Sequence, residues 1–455
     1  LSRRVPSRTT RGHGHTPVLS LASPLTETRA GSSAAGDGTD MMKESVLDGG
    51  IHVLSEYIPS VRSASVGIWI RQGGAHEPLL DTGVSHLLEH MVFKGTERRS
   101  AAEIAMALEG LGGSLDAYTS REHTSYQARV LDEHIGEALD VLADMVLDPL
   151  LRAEDLELER EVVLEEIAQV DDTPDDLVFE LHSDLLWAGH PYGRSILGTK
   201  ESVADMSIDT LRELHARTYG GENLVVAAAG NVQHERLVEA VHSLFGSRAT
   251  GEPSDRVAIP GPTLAGQHRI ARSTAQTHVV LGAGVPGHGH KDRYPLALLS
   301  SELGGGMSSR LFQKIREELG LCYSVYTYQS FYSASGLSGV YVGTRPATAD
   351  AAVAAISAEM FRMANLGLSA DELEQTKRQV KGQVMLSLES TGARLYRLAS
   401  FALHREPFLG LDGLLDKIDS VTLEDVCRVA AEFYDPDRQL VVRLGPDATN
   451  GSAQA

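Results

Sequence analysis

The segment Asp81-Thr82-Gly83-Val84-Ser85-His86-Leu87-Leu88-Glu89-His90 ends in two histidines and a glutamate spaced H-x-x-E-H. On a helix, with about 100° between successive residues, His90 lies about 40° to one side of His86 and Glu89 about 60° to the other. The three side chains therefore share one face. Two imidazoles at i and i+4 can bind one Zn²⁺, and a carboxylate beside them can take a proton from water that the metal polarises. A catalytic zinc site takes a third protein ligand and keeps one position open. The best donor in this chain is the acidic stretch LELEREVVLEEI from Leu156 to Ile167, in which Leu156, Val163, Ile167 and Val170 recur at helical spacing as a buried stripe. Glu159 and Glu166 fall about 40° and 60° from Val163 on one side, whereas Glu165 points about 160° away into solvent. A carboxylate bordering a buried stripe is costly unless it is paired or ligates a metal. Glu166 is thus a better ligand than Glu165, with an ion pair to a buried arginine as the other way of satisfying it.

These groups need a scaffold, and the pattern around them supplies one. A helix from about Thr82 carries the histidines. Upstream, Ile51–Tyr57 and Ser63–Arg71 alternate as two strands around the turn residues Pro59 and Ser60. Downstream, Ala101–Leu111 reads as a helix ended by Gly112-Gly113, Ser114–Val130 as a β-hairpin, and Asp132 to about His182 as helices. The apolar strand Leu224–Ala229 and a helix through Phe245 close this half. The Gly/Pro-rich run SRATGEPSDRVAIPGPTLAGQ from Ser247 breaks every period and reads as a linker. The expected divisions are a tail over 1–44, a metal-binding domain over 45–246, a linker over 247–268, a second domain over 269–446 and a tail over 447–455.

The second half repeats the first. Strands at Arg269–Ser273 and His278–Gly282, a helix around Leu296–Leu303 and a strand at Cys322–Tyr328 follow the linker in the same order. AEDLELEREVVLEEI from Ala153 is echoed by ADELEQTKRQVKGQV from Ala370, GGSLDAYTS from Gly112 by GLCYSVYTY from Gly320, and NLVVAAAG from Asn223 by QLVVRLG from Gln439. The fold class this implies is α+β: two homologous αβ domains from an internal duplication, each a mainly antiparallel sheet packed with helices. In the second copy Ala297-Leu298-Leu299-Ser300-Ser301 stands for HLLEH, and Thr376 and Gln383 stand for Glu159 and Glu166. Apolar positions persist while every candidate ligand is lost, as expected if the first-half residues form one functional set.

Composition narrows the classes. The chain has 455 residues with 41 Lys+Arg against 62 Asp+Glu, a formal charge of −21, which opposes a nucleic-acid partner. Twelve acidic residues and a single arginine lie between Glu154 and Glu180, a charge distribution that favours cationic peptides. No apolar run is long enough to span a bilayer. Cys322 and Cys427 form no metal spacing, and a reducing compartment fits them. Arg3, Arg4, Arg8, Arg11 and Arg29 lie in a Ser/Thr/Gly/Pro-rich stretch without an amphipathic stripe, which reads as a disordered tail rather than a transit peptide. Gly282-Ala283-Gly284-Val285-Pro286-Gly287 matches a dinucleotide fingerprint, but Pro286 opposes the helix that fingerprint requires. His288 and His290 read as a polar turn, as does His190-Pro191-Tyr192-Gly193, and Gly304-Gly305-Gly306 as a tight turn before a helix.

HLLEHMVFKGT, followed by GGSLDAYTSREHTSYQARV, EREVVLEEI and HPYGRSILG, resembles the pitrilysin-type (M16) zinc peptidases, in particular the mitochondrial processing peptidase β-subunit and half-length bacterial relatives, from about residue 46 to 446. The resemblance implies His86, His90 and Glu166 as ligands of one Zn²⁺ per chain, Glu89 as general base, and Glu159 as the family's second acidic residue. It implies a zinc metalloendopeptidase acting on unfolded or presequence-like peptides, which add as an extended strand to a sheet edge; here that edge is Leu115, Asp116, Ala117, Tyr118 and Thr119. It also implies pairing of two chains around a chamber, as a homodimer or with a heteromeric partner. The same fold serves non-catalytic assembly subunits, a reading that the intact H-x-x-E-H and Glu166 oppose. The expected location is the bacterial cytoplasm, with the mitochondrial matrix as the alternative.

Overall fold

The computed structural model describes residues 42–248, 251–254 and 256–446; the expected C-terminal tail at 447–455 and positions 1–41 of the expected N-terminal tail lie outside them. The first half contains strands β1 (Met42–Val46), β2 (His52–Tyr57) and β3 (Ser63–Ile70), then helices α1 (Val84–Val92) and α2 (Ala101–Glu109). The hairpin β4 (Ser114–Thr119) and β5 (Thr124–Leu131) comes next, then α3 (Ile135–Leu147), α4 (Ala153–Asp172), α5 (Pro174–Leu186), α6 (Lys200–Asp205) and α7 (Ile208–Thr218). Strand β6 (Leu224–Gly230) and helix α8 (His234–Phe245) complete it. The sheet order is β1-β2-β6-β3-β5-β4, which leaves β4 on an outer edge.

The second half holds β7 (Gly266–Ala271), β8 (Thr277–Val285), α9 (Arg293–Gly304), β9 (Cys322–Phe331), β10 (Gly336–Thr344), α10 (Ala349–Leu366), α11 (Ala370–Ser387), α12 (Thr391–Leu403), α13 (Leu411–Asp419), α14 (Leu423–Phe433) and β11 (Leu440–Gly445). Its sheet runs β7-β11-β8-β10-β9, the order β2-β6-β3-β5-β4 over again. Each sheet is antiparallel except for one join, β2 with β6 and β7 with β11, which are parallel at matching places. The duplication read from sequence echoes is therefore a duplication of topology, and the α+β expectation holds.

Both faces of the first sheet are covered, which is why β3 and β6 are buried on successive residues rather than alternately. Val66, Ile68 and Val226 face a core formed with Leu87, Leu88 and Met91 of α1 and with α3. On the opposite face Leu54, Trp69, Val225, Ala227 and Ala229 meet Leu395, Leu398, Ala399 and Ala402 of α12. The small alanines of β6 let that helix lie close. The second sheet receives α5 in return: Leu177, Val178 and Leu186 pack with Val280, Leu440 and Val442. There His182 is fully buried with Nε2 3.2 Å from the Leu440 carbonyl, over Gly282, where a Cβ would approach its ring to 2.8 Å.

Each half lends one helix to the other's sheet, so neither stretch of chain is self-contained. Two boundaries also move. Met42, Lys43 and Glu44 belong to β1 rather than the tail, paired in register with Glu56, Ser55 and Leu54; a strand half made of charged edge residues carries no apolar period. Strand β7 begins at Gly266, inside the expected linker, because its partner Leu440 lies far along the chain and leaves no local signal.

Candidate metal centre

Helix α1 is fixed at its N-terminus before it presents any chemistry. Gly83 adopts φ of 92°, and a Cβ there would sit 2.6 Å from the Leu197 carbonyl oxygen, so only glycine allows this approach. The buried Glu77 carboxylate accepts hydrogen bonds from the backbone N–H groups of Gly83 and Ser85, both at 2.8 Å, and so satisfies donors that the first helical turn leaves open. Leu87, Leu88 and Met91 then face the core, and the opposite side of the helix turns His86, Glu89 and His90 toward α4.

The two histidines and Glu166 of α4 converge: one ligand atom from each lies within 4.8 Å of the others. His86 Nε2 and His90 Nε2 are each 3.7 Å from the same Glu166 oxygen, Oε2. That is too long for a hydrogen bond. It is close to the spacing of about 3.3–3.4 Å between ligands held about 2.0–2.1 Å from a tetrahedral zinc ion. His86 Nδ1 is buried with no hydrogen-bond partner among the described residues, and the ring meets that of His90 edge-on with centroids 4.7 Å apart. His90 Nδ1 lies 3.0 Å from Glu159 Oε2, while the other Glu159 oxygen is 2.5 Å from Lys94 Nζ. A carboxylate at Nδ1 places the proton there and leaves the Nε2 lone pair facing the convergence point, the usual support for a metal-binding histidine. Two neutral imidazoles and one carboxylate suit Zn²⁺, and the residues fit the ion.

Burial shapes the titration of these groups. It pushes the Glu89 carboxyl up to about 7, against the opposing hydrogen bond from Thr119 Oγ1 at 2.6 Å. Burial, with His90 alongside, drives His86 down to about 3, so that ring stays neutral. His90 is also desolvated, yet the Glu159 hydrogen bond and the nearby carboxylates outweigh burial and raise its affinity for a proton. Glu159 is lowered because His90 and Lys94 overcome its own burial, whereas burial raises Glu166.

Every ligand candidate named from sequence thus lies at one place. Glu159 touches His90, Glu165 is exposed, and Glu166 meets two histidines rather than an arginine. Leu115, Asp116, Ala117, Tyr118 and Thr119 lie in the edge strand β4, whose one sheet neighbour among the described residues is β5, and Thr119 reaches the Glu89 carboxylate. Sequence reasoning missed Lys94 and Glu77. Lys94 follows His90 by four residues in the turn just past the end of α1, and Glu77 had no local signal. The Gly282–Gly287 pattern lies largely within β8, which removes the loop that a dinucleotide would need. His288 and His290 lie at a turn, closed by the His290 N–H on the Gly287 carbonyl at 3.0 Å, but His288 is only 2% exposed, with Nδ1 2.9 Å from Glu406, because α12 and its following turn close over it.

The sequence match agrees with this arrangement. Residues 52–200 match the model of Insulinase (Peptidase family M16), and residues 205–380 match the Peptidase M16 inactive domain. The chain belongs to the M16 peptidase family. It is 39% identical over 420 residues to an uncharacterized zinc protease of Streptomyces coelicolor, covering 90% of each chain. It is 38% identical over 407 residues to an uncharacterized zinc protease of Bacillus subtilis, covering 88% of this chain and 98% of the relative. In fold it resembles a solved peptidase M16 inactive domain from Pseudomonas fluorescens, with a TM-score of 0.84 at 20% identity over 90% of this chain and 98% of the other. A protease from Helicobacter pylori gives a TM-score of 0.83 at 22% identity over 89% and 99%.

Proposed function

We propose that this protein is a zinc metalloendopeptidase that hydrolyses extended, unfolded peptides. The observation that carries the reading is the convergence of His86, His90 and Glu166 beside a buried Glu89. His86, His90 and Glu166 would hold one Zn²⁺ per chain, which when bound supplies Lewis-acid polarisation of the scissile carbonyl and of the attacking water. Glu159 orients His90 through Nδ1. Glu89, raised toward neutral pH, takes the proton of the attacking water and delivers it to the leaving amine nitrogen, a role that needs both protonation states near the working pH. The main chain of Leu115–Thr119 pairs with the substrate backbone, which selects extended chains and leaves side-chain preference loose. The acidic run Glu154–Glu180 inclines the site toward basic, presequence-like segments.

Two copies of the chain enclose the substrate in a chamber, with a heteromeric partner as the alternative assembly, and the enzyme works in the bacterial cytoplasm. No described helix is long and apolar enough to cross a membrane. The decisive experiment is Glu89→Gln. Bound zinc stays at the wild-type level, measured by atomic absorption, while cleavage of a fluorogenic peptide falls by about 10³-fold or more. Wild-type turnover in a zinc-replete Glu89→Gln protein would overturn the mechanism.

A further inference from the structure

The contact between Thr119 and Glu89 joins two parts of the site that the functional reading treats separately. Thr119 is the last residue of edge strand β4, and its hydroxyl donates to Glu89 Oε2 at 2.6 Å. Of the two Glu89 oxygens, this one is held by the strand that receives substrate. The end of that strand is itself anchored. Ser120 N–H bonds the His123 carbonyl at 2.8 Å, the Gly74 and Ala75 N–H groups bond the carbonyls of Ser120 and Arg121 at 3.1 and 2.7 Å, and Thr124 Oγ1 bonds the Gln72 carbonyl at 2.9 Å. A Cβ at Gly73 would meet the Ser120 oxygen at 2.3 Å, so this backbone approach is close enough to require glycine. Thr119 therefore sits at a fixed corner, between the segment leading into α1 and the pairing edge of β4.

The second half contains the same device without the chemistry. Thr327, which stands for Thr119 in the repeated segment, donates at 2.7 Å to the backbone carbonyl of Ser300, the residue standing for Glu89. A threonine tying the edge strand to the helix is thus part of the fold in both copies. Only in the first is it aimed at a carboxylate.

We infer that Thr119 is the positioning residue of Glu89: its hydroxyl fixes Oε2 and leaves Oε1 for the reacting water, so that pairing of a peptide along β4 and orientation of the base are set by one residue. The inference rests on the proposed role of Glu89, and the test separates the two. Thr119→Val keeps the shape and removes the donor. It lowers kcat by about 10- to 100-fold, as expected for loss of a hydrogen bond to a charged group, with KM within about twofold and zinc content unchanged. Thr119→Ser restores most of the rate. A second readout needs no turnover. In chelator-treated protein, Thr119→Val lowers the denaturant midpoint, and this shift disappears in a Glu89→Ala background because the partner is gone.

Wild-type kcat in zinc-loaded Thr119→Val, or a loss in Thr119→Ser as large as in Thr119→Val, overturns the inference. So does a midpoint shift that persists unchanged in Glu89→Ala. If instead Glu89→Gln cleaves normally, it is the hydrolytic reading itself that fails.

Discussion

Where α1 crosses α4, the first half carries His86, His90, Glu159 and Glu166 around a convergence point, with Lys94 behind them. Where α9 crosses α11 in the second half, Thr376 stands at the place of Glu159 among ordinary protein bonds, and Ser301 Oγ, at the place of His90, is buried with no hydrogen-bond partner among the described residues. The fully buried Thr376 hydroxyl lies 2.8 Å from Glu302 Oε2 and 2.8 Å from the Glu372 carbonyl. Arg310 reaches Glu372 at 2.7 Å and Glu302 at 3.7 Å. Both crossings bury polar groups on one scaffold, yet the second satisfies its carboxylates with an arginine and a hydroxyl. In the first, two imidazole nitrogens and a carboxylate oxygen face one another beyond hydrogen-bonding distance. A polar crossing satisfied within the protein is structural. One whose lone pairs point at each other suits a cation.

The largest expected asymmetry follows from exchanging equivalent positions. Glu166→Ala removes a proposed ligand and is expected to lower zinc occupancy and cut peptide cleavage by about 10³-fold or more. Gln383→Ala, at the matching place, leaves both within about twofold. Metal analysis and steady-state rates on the pair check this, and equal losses would mean that the second crossing takes part in the reaction. A smaller effect is expected one step outward. Glu159→Gln keeps the hydrogen bond to His90 Nδ1 but loses its charge, and should weaken zinc affinity by about 10- to 100-fold in competition with a chelator. Its counterpart Thr376→Val should leave zinc untouched and reduce folding stability by about 1–3 kcal/mol, read from denaturant midpoints.

The smallest effect concerns a histidine shared between halves. His182 is held by burial at about 4, against 6.5 in the unfolded chain. The unfolded state therefore gains this proton first as pH falls. Stability supplied by the neutral ring is complete above about pH 6.5 and is lost toward pH 4, at about 1.4 kcal/mol per pH unit. His182→Gln should flatten that slope by one group's share in denaturant titrations at pH 7.5 and 5.5.

The chemistry was more legible in the sequence than the architecture. His86, Glu89 and His90 were readable because one helix fixes their angles, and Glu166 because its neighbours Val163 and Ile167 show which side of α4 is buried. Strands β2 and β3 were visible as alternating segments around a turn, and β6 as an apolar run. The exchange of α5 and α12 was not, since an amphipathic helix declares that it covers something without declaring which sheet. Strand β1 was hidden by Lys43 and Glu44, and β7 by a parallel partner about 170 residues away. The Thr119 hydroxyl looked like an ordinary strand residue, because alternation fixes the side of a sheet but not the atom met there.

The exchanged helices bear on how the chain is made and how it came apart from its ancestor. Stripped of α12, the first sheet would expose Leu54, Trp69 and Val225 to water; without α5, the second would expose Val280, Leu440 and Val442. The first half therefore cannot complete its core until the chain has been synthesised as far as Leu403. For the same reason two fragments cut between α8 and β7 should stay clasped, each still holding a piece the other needs.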